Sequence, residues 1–312
     1  MGYVILKKKR GDTMELIQMK YFLAVAREEN ISKAADFLYI TQPSLTRQIQ
    51  NMEKEIGQPL FIRGKKKMHL TEIGQLLRKR AEEILILYEK MESELIHPSK
   101  TISGEVFIGG GESYAMKVLL DVAGKISIDY PNIKIHIYSG DISDVCERID
   151  KGLLDFGLLI EPADLTKYES IRLPVKEQWG LLMNKNHPLS KKKKIVPEDL
   201  KGISLIQSNH SLPKSNLTEW YKSVTNEINV VATYNLLYNA TLMAESNMGC
   251  VLCLNHIVNT TGESNLCFRP LFPYLTAHVD VVWKKYQIFS QPAQIFLKYL
   301  IEKIEKKPIL EK

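Results

Sequence analysis

The chain has 312 residues, 45% apolar and 25% charged, with a formal net charge of +6, which excludes a disordered, collagen-like or low-complexity polypeptide. No apolar run approaches the roughly 18 residues that a membrane-spanning helix needs, and the first residues are basic with no apolar stretch after them, so neither a membrane anchor nor a secretory signal is expected. Four cysteines in a chain of this length exclude a disulfide framework and fit a reducing cytoplasm.

The charge is unevenly placed: residues 1–80 carry +8 and the remaining 232 carry −2. A basic head on a near-neutral body points to a polyanion met by the head alone. A basic arm, a start codon assigned upstream of Met14, and cloning sequence are three open readings of residues 1–13.

Residues 14–96 read as mostly helical. In a first helix, Leu16, Met19, Phe22, Leu23 and Ala26 recur at three- and four-residue steps and form one buried stripe. A second, short helix follows Asn30 and Ile31, with Ser32 as its expected cap and Ala34 and Ala35 small enough for close packing. A third begins after Thr41, whose hydroxyl is expected to cap it, and Pro43 is tolerated in its first turn because the missing N–H would be unpaired there. Leu45, Ile49, Met52 and Ile56 fall on one side of this helix, and the other side shows Gln42, Ser44, Thr46, Arg47, Gln50 and Asn51. Gly57 and Pro59 end it. Residues 60–62 and 68–70 read as a hairpin, or wing, around the basic turn Arg63, Gly64, Lys65, Lys66 and Lys67. A long helix from Thr71 to about residue 96 carries Leu77, Ala81, Ile84, Tyr88, Met91 and Leu95 at alternating steps of three and four, a heptad seam that predicts a dimer.

Beyond a boundary at 97–104 the pattern changes to short apolar strands separated by helices. Strands are expected at 106–108, 133–138 and 154–160, with helices at 114–129 and 143–151 between them, which implies a parallel sheet with right-handed crossovers. A second unit of the same kind has strands at 179–183, 204–206, 229–233 and 250–254 and helices from 215 and at 237–247. A strand at 279–283 and a helix at 292–306 close the chain.

A helix with one apolar side can dock on its own domain while short polar side chains enter a major groove. Gln42 suits an adenine edge and Arg47 a guanine or a phosphate, with Ser44, Thr46 and Gln50 as shorter contacts to bases or backbone. Ser32 at a helix start suits a phosphate, and Arg63, Lys65, Lys66 and Lys67 suit the neighbouring backbone. Read alone, Thr46, Gln48 and Gln50 fit a solvated helix face equally well.

The segments Phe22-Leu23-Ala24-Val25-Ala26, Ser32-Lys33-Ala34-Ala35, Thr41-Gln42-Pro43-Ser44-Leu45-Thr46-Arg47-Gln48-Ile49, Leu60-Phe61 and Leu70-Thr71-Glu72-Ile73-Gly74 together resemble the LysR-type transcriptional regulators. The resemblance continues through Tyr130-Pro131, residues 152–157, Asn186-His187-Pro188-Leu189, Met248-Gly249 and Val282-Trp283. It implies an N-terminal all-α winged helix-turn-helix over 14–70, a dimerising linker helix over 71–97, and a C-terminal α/β effector domain over 104–312 that is similar to periplasmic binding proteins. The effector domain would comprise subdomain I at about 104–162 and 269–312, and subdomain II at about 163–268.

By position the resemblance makes Gln42, Pro43, Ser44, Thr46 and Arg47 the groove-reading set, with Thr41 beside them among the DNA contacts and the basic wing beside the minor groove. It also implies an inverted-repeat operator on double-stranded DNA, a homodimer or homotetramer, and a small-molecule effector between the subdomains that shifts the population of DNA-binding states. The effector candidates by position are Ser113, Gly140, Asp141, Ser143, Ser208, Asn209, Tyr234 and Asn235. Glu112 departs from this scheme, since a carboxylate beside a helix start would oppose a negatively charged ligand unless it is turned away.

Other signals point to nothing further. Cys250 and Cys253 lie three apart on a strand, face opposite sides and are expected in the core, while Cys146 and Cys267 belong to no paired motif. The histidines show no metal-ligand spacing, and Lys191, Lys192, Lys193 and Lys194 read as a solvated loop. Gly109, Gly110 and Gly111 lack both the dinucleotide fingerprint and a phosphate-loop lysine, so no cofactor is expected. No nucleophile, base and orienting group can be assembled from the spacing, so no enzymatic activity is expected either. Two other classes stay open at this point: a thiol-based redox sensor and a solute-binding module.

Overall fold

The computed structural model describes residues 14–64, 67–96, 102–209 and 215–305, the side chains of Arg63 and of 93–96 excepted. The chain forms two compact units, the first ending at Glu92 and the second beginning at Ser93.

The first unit packs α1 (Leu16–Glu28), α2 (Ile31–Phe37) and α3 (Gln42–Ile56) around Phe22, Val25, Ala34, Ala35, Leu45, Ile49 and Met52. Helix α1 starts where the Glu15 N–H donates to the Gln18 side chain at 2.9 Å. It stops at Glu29, whose left-handed backbone (φ 50°) turns the chain. The cap of α2 is Asn30, whose side-chain oxygen accepts the Lys33 N–H at 3.1 Å, and not Ser32, which stands exposed in the first turn. Thr41 does occupy the residue before α3, but its hydroxyl makes no capping bond. Gly57 ends α3 with φ 78°, a conformation that glycine reaches without steric cost.

Strands β1 (Phe61–Arg63) and β2 (Met68–Leu70) pair antiparallel as the expected wing. Helix α4 (Glu72–Ile96) begins over them: the Thr71 hydroxyl donates to Pro59 O at 2.8 Å and accepts the Gly74 N–H at 3.0 Å. A side chain at Gly74 would put its Cβ 2.3 Å from Leu60 O, so only glycine allows this approach. The heptad seam is divided. Ala81 is fully buried and Leu77 packs on the core of the same unit, whereas Ile84 and Met91 are exposed and Tyr88 is half-buried; Leu87, outside the seam, is exposed beside them. The Leu95 side chain falls outside the described residues.

The second unit opens with β3 (Gly104–Gly110), α5 (Met116–Asp129), β4 (Ile133–Ser139), α6 (Ile142–Asp150) and β5 (Phe156–Ile160), with β3 parallel to β4 and β5. Strand β6 (Tyr168–Asn184) is far longer than the expected 179–183. After it come β7 (Ser204–Ser208), α7 (Asn216–Trp220), β8 (Asn229–Tyr234), α8 (Leu237–Glu245) and β9 (Cys250–Leu254), in which β7 is parallel to β8 and β9. Strand β10 (Leu266–Pro270) pairs with β6, then β11 (Thr276–Lys284) and α9 (Gln291–Glu305) complete the unit. The strand order is β4-β3-β5-β11-β6-β9-β7-β8, with β10 off this path.

One half of this sheet carries α5, α6 and α9 and is built around Ile108, Phe156, Val279 and Phe296; the other carries α8 and buries Leu182, Ile206 and Val251 beneath it. Residues 168–178 pair with β11 in the first half, although they were expected in the second. Their alternation is masked by Pro174, which is accommodated because the ladder is irregular between His278 and Asp280, opposite that stretch.

Candidate nucleic-acid interface and ligand cleft

On α3 the four-residue spacing of Leu45 and Ile49 anchors one side in the core and leaves Gln42, Pro43, Ser44, Arg47 and Gln50 exposed. The Arg47 guanidinium has no ion-pair partner among the described residues. Thr46 differs: its hydroxyl donates to Gln42 O at 2.9 Å and the residue is half-buried, so it offers a partner its methyl group more readily than its oxygen. No acidic residue lies in the first turn of α3, and the amino end of the helix lacks a side-chain cap. Its first N–H groups are therefore open to a phosphate oxygen.

In the wing, Lys67 is ion-paired with Glu29 and holds that carboxyl below the usual carboxylate range, chiefly by the hydrogen bond between them. Lys67 therefore ties the wing to the end of α1. Lys65, Lys66 and the Arg63 side chain lie outside the described residues. The sequence reading missed Tyr39, which is 96% exposed in the turn before α3 and stands on a left-handed backbone (φ 55°) that helix spacing does not reveal.

The second unit holds a cavity of about 470 Å³ between its two halves. Gly140, Asp141, Ser208, Tyr234 and Asn235 line it as expected by position. Several of these have polar atoms already engaged: the Tyr234 hydroxyl donates to Leu252 O at 2.8 Å, the Asn235 side-chain oxygen accepts the Leu236 N–H at 2.9 Å, and Asp141 accepts the Asp144 N–H at 3.0 Å. Burial pushes the Tyr234 phenol well above its usual range, so it stays neutral.

Ser113, Ser143 and Asn209 do not line the cavity. The Ser113 hydroxyl donates to the buried Glu177 carboxylate at 2.7 Å, Ser143 faces solvent on α6, and Asn209 is an exposed residue whose N–H donates to Tyr234 O at 2.9 Å. The sequence reading also passed over Glu161, Trp179, Leu254 and Ile257, which line the cavity. Glu112 lines it too, and its carboxylate accepts the Leu237 N–H at the start of α8, crossing from one half of the unit to the other.

All four cysteines are free. Cys250 and Cys253 sit in clusters on opposite sides of the sheet, and burial pushes each thiol up to about 12. At pH 7.5 both are expected to stay protonated and to react with iodoacetamide far more slowly in the native chain than in urea. Rapid native labelling of either, followed by mass spectrometry, would revive the redox-sensor reading. Among the described residues, no group of His, Cys, Asp and Glu is arranged to hold a metal ion, and no helix is long and apolar enough to cross a membrane.

Residues 16–75 match the family described as bacterial regulatory helix-turn-helix protein, lysR family, and residues 99–305 match the LysR substrate binding domain. The chain is 24% identical to the HTH-type transcriptional regulator YybE of Bacillus subtilis, over 92% of this chain and 98% of that protein. It is 27% identical to the Hca operon transcriptional activator HcaR of Escherichia coli, over 87% and 92% of the two chains. A probable RuBisCO transcriptional regulator of Phaeodactylum tricornutum is 30% identical over 62% of this chain and 64% of its own length. Among solved structures, full-length CbnR complexed with its target DNA matches with a TM-score of 0.72 at 18% identity, covering 93% of this chain and 100% of that one, which is a likeness of fold.

Proposed function

The chain belongs to the LysR family of bacterial transcriptional regulators, with a DNA-binding head and a C-terminal effector-binding domain, and from that membership we propose which residues do the work. Gln42, Ser44, Arg47 and Gln50 read base edges from α3, and Thr46 contributes its methyl group. Ser32, Thr41 and Pro43 lie against the phosphates beside them, and the wing residues Arg63, Lys65, Lys66 and Lys67 follow the adjacent backbone. The observation that carries this reading is α3 itself, with Leu45, Ile49 and Met52 buried and its polar side uncovered.

Two copies pair through the exposed Ile84, Leu87 and Met91 of α4, giving a homodimer or a pair of dimers that reads an inverted repeat. The cavity, with Gly140, Asp141, Ser208, Tyr234 and Asn235 in its wall, receives the effector, which favours one arrangement of the DNA-binding heads over another. The protein acts in the cytoplasm and by binding, without a catalysed reaction.

Arg47→Ala is expected to weaken specific operator binding by about 1–3 kcal/mol while leaving the melting temperature unchanged. A gel-shift titration against operator and scrambled DNA checks this. Equal binding by the variant and the wild type would remove Arg47 from the reading set.

A further inference from the structure

The electrostatics of the cavity point away from an anionic ligand. Three helices begin at its wall: α6 and α8 each have a carboxylate of this chain at the amino end, and the short α7 is capped by the Ser215 hydroxyl, which accepts the Thr218 N–H at 3.1 Å. Asp141 accepts the Asp144 N–H at 3.0 Å in α6, and Glu112 accepts the Leu237 N–H of α8. A third carboxylate, the buried Glu177, accepts the Ala115 N–H at 2.6 Å just before α5. At α6 and α8 the positive helix end that would attract an incoming carboxylate or phosphate thus already faces a carboxylate of this chain.

The charged side chains of the wall are all acidic: Glu112, Asp141 and Glu161 line the cavity, and no lysine, arginine or histidine does so among the described residues. An anion entering here would meet repulsion in a partly desolvated space, with no cation among the described lining residues to offset it. The two outer carboxylates have work elsewhere, since Asp141 caps α6 and Glu161 accepts from Arg172 at 2.8 Å and from the His278 N–H at 3.3 Å. Glu112 is different. One of its oxygens takes the Leu237 N–H, and the other has no partner among the described residues. A carboxylate has acceptor capacity for both. Much of the rest of the wall is apolar, with Ile142, Ile160, Trp179, Leu254 and Ile257.

On the reading of this cavity as the effector site, we infer that it takes a protonated amine on a hydrocarbon body, with the ammonium on the open oxygen of Glu112 and the body against the apolar wall. The Trp179 ring adds a face on which a cation can rest. The volume of about 470 Å³ suits such a molecule, within the usual range of roughly 300–1,000 Å³ for small-molecule sites.

The test uses the full chain at near-neutral pH and low salt, with matched probes of one hydrocarbon body: benzylamine, benzoate and benzyl alcohol, and likewise hexylamine, hexanoate and hexanol. Amines are expected to raise the melting temperature, carboxylates to leave it unchanged, and Glu112→Gln to weaken amine binding about tenfold or more. The glutamine oxygen still accepts the Leu237 N–H, and an unliganded melt equal to wild type verifies the fold. Glu112→Asp, which retains the charge, should keep part of the amine preference.

Stabilisation by carboxylates in place of amines, no stabilisation by any amine, or amine binding indifferent to Glu112→Gln overturns the assignment. Operator binding is measured with each probe in parallel. A carboxylate that binds and changes operator affinity would remove the amine assignment and leave the effector reading standing. Amine-selective binding that never alters operator affinity would uphold the assignment and count against the effector reading.

Discussion

Replacing Phe156 by alanine is expected to lower the stability of the second unit by about 3–5 kcal/mol, the range for removing a buried aromatic ring from a core. Phe156 is fully buried on β5, and its ring centroid lies 5.1 Å from those of both Phe289 and Phe296 and 6.1 Å from that of Trp283. The ring joins the sheet to the last helix, so the loss includes both the transfer of the ring and the cavity left among stiff aromatic neighbours that cannot close it. Urea unfolding followed by tryptophan fluorescence measures it. A loss under about 1 kcal/mol would mean that the cluster rearranges freely and does not secure α9.

Phe22→Ala is expected to have a comparable effect on the first unit, about 3–5 kcal/mol. Phe22 is fully buried on α1, 5.3 Å from the Phe61 ring of the wing, and it lies in the same core as Leu45 and Ile49 of α3. Operator binding should therefore fail at growth temperature although no proposed contact residue has been touched. Saturating operator DNA should recover part of the loss, because a ligand that binds only the folded head pulls the equilibrium back. Binding that stays normal at 37 °C would show that α3 is held by something other than this core.

The two aromatic substitutions also separate what the sequence disclosed from what it hid. The head was legible because its chemistry is local. Leu45, Ile49 and Met52 recur at helical spacing, Gly57 stops α3 with the backbone that glycine favours, and the resemblance ran through the same residues. Its misassignments are both caps: the Thr41 hydroxyl makes no capping bond to α3, and Ser32 in place of Asn30 at α2 reflects two residues of nearly equal capping strength standing two positions apart. Residues 168–178 were not legible, because Pro174 reads as a strand breaker until the irregular ladder opposite it is seen. The cavity was half legible. Gly140 and Asp141 follow a strand as anticipated, but the engagement of Ser113 by Glu177 spans 64 residues and no local pattern carries it. The same holds for Glu112, which meets its partner 125 residues away.

Strand β6 runs from one half of the second unit into the other without interruption. At the crossing, the Trp179 N–H donates to Leu275 O at 2.9 Å, Trp179 O accepts the Leu271 N–H at 3.0 Å, and Gln178 O accepts the Asn255 N–H at 2.9 Å. These bonds hold the ribbon to the second half, where Trp179, Leu271 and Leu275 share one apolar cluster, so a change of angle between the halves falls on β6 itself. Torsion along the ribbon leaves the bonds in place. News of an occupied cavity would then travel as a few degrees of screw motion in a stiff spring.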